Sequence, residues 1–182
     1  KDTGGEILIG QDFNVNPMAS VVAVRAGDEC HIIDALEVPS SNTEEIAAEY
    51  ATRYAGRKVV VCPDPSGVQR RSSAPVGQTD FTILKRAGFD VRAPKAAPPI
   101  VDRVNNVQAM LLNGEGRRRL KIHPRAHALI RSLEGLTYKD GTSQPDKTLG
   151  LDHLVDALGY LLWQEFNTLR GAKPTTERFR VI

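Results

Sequence analysis

Short apolar runs bounded by turn residues dominate the first third of the chain. Residues 6–13, 20–25 and 30–38 are rich in β-branched side chains, and the turn sequences NVNP and AGDE separate them. This pattern predicts three consecutive antiparallel strands joined by tight turns. Residues 58–62 form a fourth run without polar alternation, which is typical of a central strand covered on both faces.

Helical signals occupy most of the remaining chain. Ser41, Asn42 and Thr43 offer N-cap oxygens ahead of a helix that ends near Gly56. Further helices are predicted at residues 81–87, 101–112, 123–133 and 151–169, and short strands at 89–92 and 120–122. The last helix carries a broad apolar stripe. This succession of strands and helices predicts an α/β fold.

Composition restricts the class of protein. The chain has 182 residues, of which 41% are hydrophobic and 25% charged, and no apolar run approaches the roughly 18 residues of a membrane-spanning helix. We therefore expect a soluble domain with one core and no membrane partner. Cys30 and Cys62 lack a CxxC spacing, which suits a reducing cytosol and argues against a disulfide framework or a zinc site.

The two ends of the chain differ from its centre. The sequence begins with the polar stretch KDTGG rather than with Met, which predicts that residues 1–5 are the remnant of an interdomain linker. Residues 6–170 then form the predicted domain. Residues 171–182 are predicted to be a C-terminal tail, for which fraying is the usual state.

Basic residues are clustered although the net charge is only +2. A nucleic-acid partner would therefore depend on local patches rather than on bulk charge. The candidates for phosphate contacts are Arg70, Arg71, Arg117, Arg118, Arg119 and Lys147. A solvated surface is the alternative for each of them.

Carboxylates follow two of the predicted strands. Asp12 ends the first strand and Asp64 follows the fourth, so a sheet that pairs these strands brings the two acids side by side. In the last helix, Asp152 and Asp156 have i, i+4 spacing, and His153 precedes Asp156 by three residues. Crowded carboxylates raise each other's pKa unless a cation neutralises them. Oxygen ligands of this kind suit Mg²⁺ or Mn²⁺, and two such ions about 3.5–4 Å apart hydrolyse phosphodiesters.

Four motifs carry a family resemblance. They are GQDFNVNP, VVVCPDPSG, LKIHP and GLDHLVDALGYLLW, and they run in this order through nearly the whole chain. In them the sequence resembles the C-terminal nuclease domain of the large terminase subunit of tailed bacteriophages, a member of the ribonuclease H-like superfamily. The resemblance implies a mixed central sheet with three leading antiparallel strands and helices on both faces.

The resemblance also implies roles for individual residues. Asp12, Asp64 and Asp156 would bind the catalytic metals, two ions of Mg²⁺ or Mn²⁺, with His153 as a further ligand. Asp152 is an additional candidate ligand, with a place in the first helical turn as its alternative. The activity implied is cleavage of concatemeric double-stranded DNA with little sequence specificity during viral DNA packaging.

Partners follow from the same resemblance. An ATP-driven packaging motor would belong to the same full-length polypeptide, and the lack of a GxxxxGK(S/T) loop predicts that it lies outside this chain. The portal protein and the small terminase subunit are the other implied partners. The implied location is the cytoplasm of the infected bacterial host, with transient docking on the procapsid.

Other functions remain open from the residues alone. Asp12 and Asp64 are also good turn residues. A Holliday-junction resolvase or a transposase core would use a similar fold and similar acids, and preferential cutting of four-way junctions would favour the resolvase. An actin-like ATPase or sugar-kinase lobe needs a second lobe and Gly-rich nucleotide contacts that this sequence does not provide. A catalytically inactive DNA-binding module is the remaining alternative.

Overall fold

A six-stranded mixed sheet forms the centre of the fold in the computed structural model, which describes residues 4–69 and 75–167. The strands are β1 (Ile7–Asp12), β2 (Met18–Ala26), β3 (Glu29–Val38), β4 (Val59–Pro63), β5 (Asp90–Val91) and β6 (Leu120–Ile122). The helices are α1 (Thr43–Arg53), α2 (Asp80–Arg86), α3 (Ile100–Leu111), α4 (His127–Gly135) and α5 (Asp152–Glu165), and Pro65–Val68 forms a 3₁₀ turn.

The strand order is β5-β4-β1-β2-β3-β6. The three leading strands pair antiparallel, as predicted, while β4 pairs parallel with β1, β5 with β4, and β6 with β3. The fourth strand therefore lies directly beside the first. This arrangement brings the carboxyl ends of β1 and β4 to the same edge of the sheet.

Helices cover both faces of the sheet, which confirms the predicted layers. In β1, Leu8 faces the core that α3, α4 and α5 cover, whereas Ile7 and Ile9 face the core under α1 and α2. The fourth strand alternates in the same way, with Val60 in the first core and Val61 in the second. Burial on both faces is the reason why β1 and β4 are continuously apolar.

Two predicted helices begin or end elsewhere in the structure. The helix expected from residue 123 begins at His127, because the backbone N–H of His123 still donates to the carbonyl of Ile32 in the sheet and Ala126 closes a turn by donating to the His123 carbonyl. The last helix, expected to reach residue 169, ends at Glu165. None of the helices in the described ranges is long and apolar enough to cross a membrane.

The last helix packs directly against the first strand at Gly10. A Cβ atom at this position would lie 2.1 Å from the carbonyl oxygen of Ala157 and 2.9 Å from the Cβ of Leu161. Only a glycine permits this approach of helix backbone to strand backbone. Because Asp156 immediately precedes Ala157, the same contact sets the distance from α5 to the end of β1.

Replacement of Gly10 by Ala is expected to destabilise the fold by about 1–3 kcal/mol, because α5 must move away from β1 to accommodate the methyl group. Urea unfolding measures the change. Gly114→Ala is the matched control, since a Cβ there meets no heavy atom within 4 Å. Equal stability of the Gly10 variant and the wild type would show that the two elements are not in firm contact.

Candidate functional site

Asp12 and Asp64 lie side by side at the carboxyl ends of the parallel strands β1 and β4. Asp12 is the last residue of β1, and Asp64 directly follows β4. In the parallel pairing Gln11 lies opposite Pro63, and the backbone N–H of Asp64 donates to the carbonyl of Gln11 at 2.9 Å. The Asp64 carboxylate also accepts a hydrogen bond from the Ser66 N–H at 2.9 Å, so Asp64 holds its own turn in shape as well.

A buried polar network stabilises the end of β1. Gln11, Ser20 and Tyr50 are fully buried, and the Ser20 hydroxyl donates to Gln11 Oε1 at 2.9 Å while the Tyr50 hydroxyl donates to the same oxygen. The Gln11 amide donates to the carbonyl of Asp12 at 2.9 Å. A satisfied network of this kind rigidifies its surroundings, so it fixes the backbone that carries Asp12.

His153 links the last helix to Asp12. Its Nδ1 lies 3.1 Å from Oδ2 of Asp12, and its Nε2 lies 2.9 Å from the side-chain amide nitrogen of Asn14. The two contacts suit an imidazole that donates to the carboxylate and accepts from the amide. The His153 side chain thus joins α5 to the turn after β1.

The surroundings of Asp12 disfavour the charged form of its carboxyl group. Burial raises the pKa of Asp12 to about 6, the hydrogen bond to His153 opposes this rise, and the charges of Asp156 and then Asp64 add to it. Asp12 therefore interacts with both other acids, although they lie in separate parts of the sequence. Like charges crowded at one edge are the condition in which a bound cation is most stabilising.

Asp156 and Asp152 share a set of basic partners. Asp156 Oδ1 lies 2.6 Å from a terminal nitrogen of Arg103, and Asp156 Oδ2 lies 3.1 Å from Nζ of Lys147. The same ammonium group lies 2.7 Å from Oδ2 of Asp152, the first residue of α5. An acid in an apolar helix is costly to bury alone, and here these cations compensate the two carboxylates.

Arg103 is a site residue that the sequence pattern did not reveal. It lies on α3 and is only 5% exposed, with its guanidinium carbon 4.3 Å from the centre of the Tyr160 ring. A Cβ at Gly159 would lie 2.6 Å from Arg103 Cγ, so this glycine makes room for the arginine. An isolated glycine inside an apolar helix was the available signal.

The basic residues predicted to contact DNA are not all near the acids. Among them, Lys147 lies at Asp152 and Asp156. Arg117, Arg118 and Arg119 instead precede β6. There the backbone N–H of Cys30, at the start of β3, donates to the Arg119 carbonyl. These arginines therefore lie at the opposite end of the strands from Asp12, and the rise per residue puts the two ends about 20 Å apart. Arg117 also pairs with Asp28 at 2.7 Å, and Arg118 is exposed. Arg70 and Arg71 lie outside the described residues, so the DNA roles stay predictions.

Carboxylate oxygens and one imidazole are suitable donors for Mg²⁺ or Mn²⁺. Asp152 Oδ1 is buried and has no hydrogen-bond partner in the described part of the chain, so acceptor capacity remains at the site. In this conformation, however, no three His, Cys, Asp or Glu side chains of residues 4–69 and 75–167 already surround one point. The residue types suit a divalent metal, and binding would require the side chains to rearrange.

The sheet order and the packing of α5 against β1 define a ribonuclease H-like fold. The family model for the terminase RNaseH-like domain matches residues 9–165. The chain therefore belongs to the terminase RNaseH-like domain family, as the four sequence motifs predicted. A comparison with curated protein sequences gives no match.

Solved structures of large terminases resemble the chain. The large terminase of the thermophilic bacteriophage D6E is 15% identical with a TM-score of 0.68, and the match covers 90% of this chain but 41% of that one. The nuclease domain from bacteriophage SPP1, solved with bound Mn, is 20% identical over 88% of this chain and 87% of that one, with a TM-score of 0.58. The large terminase nuclease from the thermophilic phage G20c, solved with bound magnesium, is 19% identical over 87% and 81%, with a TM-score of 0.60.

Asp12→Asn is expected to stabilise the metal-free protein at neutral pH. Because the pKa of Asp12 is about 6 when folded and about 3.9 in unfolded chains, its stabilising contribution is complete below pH 4 and is lost as the pH rises through 6. At pH 7.5 in EDTA the variant should gain at most about 3 kcal/mol over the wild type. Thermal unfolding at pH 7.5 and pH 4 measures this gain, which should shrink at pH 4. A variant that melts below the wild type at both pH values would contradict the electrostatic account.

Asp156→Asn is expected to have the opposite effect. The substitution leaves Arg103 buried without its charged partner, which should cost about 3 kcal/mol in urea unfolding without metal. The matched control is Asp28→Asn, whose partner Arg117 is exposed, so its loss should cost less than about 1 kcal/mol. Equal losses in the two variants would mean that the Arg103 pair is no more important than a surface pair.

Proposed function

We propose that this chain is a divalent-metal-dependent endonuclease domain of a viral DNA-packaging terminase. The observation that carries the proposal is the placement of Asp12 beside Asp64 where β1 and β4 end, with Asp156 on α5 close enough to act on Asp12. Burial is the main cause that raises the pKa of Asp12 to about 6, and the charges of Asp156 and Asp64 add to this rise. Membership of the terminase RNaseH-like domain family supports it, as do the Mn and magnesium bound in the SPP1 and G20c domains.

The proposed metal ligands are Asp12, Asp64 and Asp156, with His153 and Asp152 as further candidates. When bound, two Mg²⁺ or Mn²⁺ ions would supply a nucleophilic water and stabilise the leaving oxygen of the phosphodiester. The protein's own part is to hold the ligands. Gln11 fixes the backbone at Asp12, and Arg103 orients the Asp156 carboxylate.

The proposed substrate is double-stranded DNA, cut with little sequence preference. Of the predicted DNA-contact residues that the structure describes, Lys147 lies at the acids, and Arg70 and Arg71 follow Asp64 closely in sequence. Phosphate contacts by such residues position a duplex without reading its sequence. Arg117, Arg118 and Arg119 would contact only a duplex that extends toward the far end of the sheet.

The wider context is proposed from the family. The chain spans 41% of the D6E large terminase chain that it matches. We therefore propose an ATPase motor domain in the same full-length polypeptide, with the portal protein and the small terminase subunit as partners. The site of action would be the host cytoplasm, with docking on the procapsid during packaging.

Incubation with plasmid tests the activity. Relaxed and linear products are expected with Mg²⁺ or Mn²⁺ and none with EDTA, and Asp12→Asn and Asp64→Asn should each lower the rate at least about 100-fold. Asp140→Asn, at an exposed turn, is the control that should cut like the wild type. Undiminished cutting in EDTA would refute the metal mechanism, and strong preference for a four-way junction over linear duplex would favour a resolvase.

A further inference from the structure

Lys147 covers Asp152 and Asp156, two acids of α5, from the solvent side. Its ammonium lies 2.7 Å from Asp152 Oδ2 and 3.1 Å from Asp156 Oδ2. The carboxylate side chains are only 3% and 15% exposed, whereas the lysine side chain is 54% exposed. The cation therefore reaches buried anions from a position open to water.

The backbone that carries Lys147 is held in place. Asp146 donates its N–H to the Thr137 carbonyl at 2.8 Å, and its carboxylate accepts from the N–H of Thr148 at 2.9 Å. The Gly150 N–H then donates to the carbonyl of Lys147 at 3.1 Å. The flexible side chain can leave without a movement of this backbone, because about half of it is exposed to solvent.

The acceptor atoms of the two acids are unevenly satisfied. Asp156 Oδ1 is engaged by Arg103, and Asp156 Oδ2 is the oxygen that contacts Lys147. Asp152 is 2% exposed, and its Oδ1 has no hydrogen-bond partner within the described ranges. A buried carboxylate oxygen without a donor is costly, which makes this pair a place where a stronger cation is favoured.

We propose that Lys147 is an internal cation that occupies the position between Asp152 and Asp156 that a divalent ion takes when the site is loaded. This inference rests on the proposed function. An ammonium and a divalent cation repel each other and compete for the same oxygens, so the lysine must move away before the ion binds there. Lys147 thus stabilises the metal-free fold and weakens metal binding.

Lys147→Met tests the competition directly, by calorimetric titration with Mn²⁺ in the absence of DNA. The variant should bind Mn²⁺ with an about tenfold lower Kd, which is within the usual range of coupling between sites. Without metal it should melt at a lower temperature than the wild type, because Asp152 is left buried and unpaired. Saturating Mn²⁺ should then raise its melting temperature more than that of the wild type.

Three variants serve as controls. Lys58→Met removes a lysine that pairs with Glu6 at 3.0 Å on an exposed surface, and it should leave Mn²⁺ affinity unchanged. Lys147→Gln removes the charge but keeps a hydrogen-bond donor, so it tests the same effect if the Met variant does not fold. Lys147→Arg keeps the charge and should bind Mn²⁺ no more tightly than the wild type.

The outcomes separate this inference from the proposed function. Tighter Mn²⁺ binding by Lys147→Met or Lys147→Gln, with Lys147→Arg and Lys58→Met unchanged or weaker, supports the inference. If the wild type binds Mn²⁺ as tightly as both neutral variants, the inference about Lys147 is overturned and the proposed function is left intact. Failure of the wild type and both neutral variants to bind Mn²⁺ overturns the proposed metal function and this inference with it.

Discussion

Negatively charged carboxylates are concentrated where β1 and β4 end, and the other residues of the site compensate the repulsion between these carboxylates. Asp12 carries it most visibly, since burial and the neighbouring acids raise its pKa to about 6. The protein compensates with a guanidinium, an ammonium and an imidazole, supplied by Arg103, Lys147 and His153. Each of them comes from outside the two strands, so the site depends on the packing of helices and a loop against the sheet.

The packing of α5 on β1 links this electrostatic arrangement to the core. Gly10 and Gly159 are both places where a side chain would collide, the first with the helix backbone and the second with Arg103. Gly10 lets α5, which carries Asp156, approach β1, which carries Asp12, and Gly159 leaves room for Arg103. The geometry of the acids is therefore set by close contacts in an apolar core rather than by the acids themselves.

Sequence patterns predicted much of this arrangement. The apolar runs of β1 and β4 and the turn residues after them were enough to place Asp12 beside Asp64, because strand pairing follows from few topological choices. Arg103 was not found, since a single arginine on a mixed helix looks like a solvated residue until its partner is known. The network of Gln11, Ser20 and Tyr50 was missed for the same reason: it joins side chains of β1, β2 and α1 whose contact is known only once these elements are packed together.

Diffraction from crystals of this chain that contain Mn²⁺ shows most directly where a divalent ion binds. An anomalous peak is expected within coordination distance, about 2.1–2.3 Å, of oxygens from Asp12, Asp64 and Asp156. Further anomalous density is expected between Asp156 and Asp152, where the Lys147 ammonium lies without metal. Arg103 should remain paired with Asp156, and the Lys147 ammonium should have left it. Crystals in which the ion binds elsewhere, with the Lys147 pairs intact and the three acids vacant, would contradict the account.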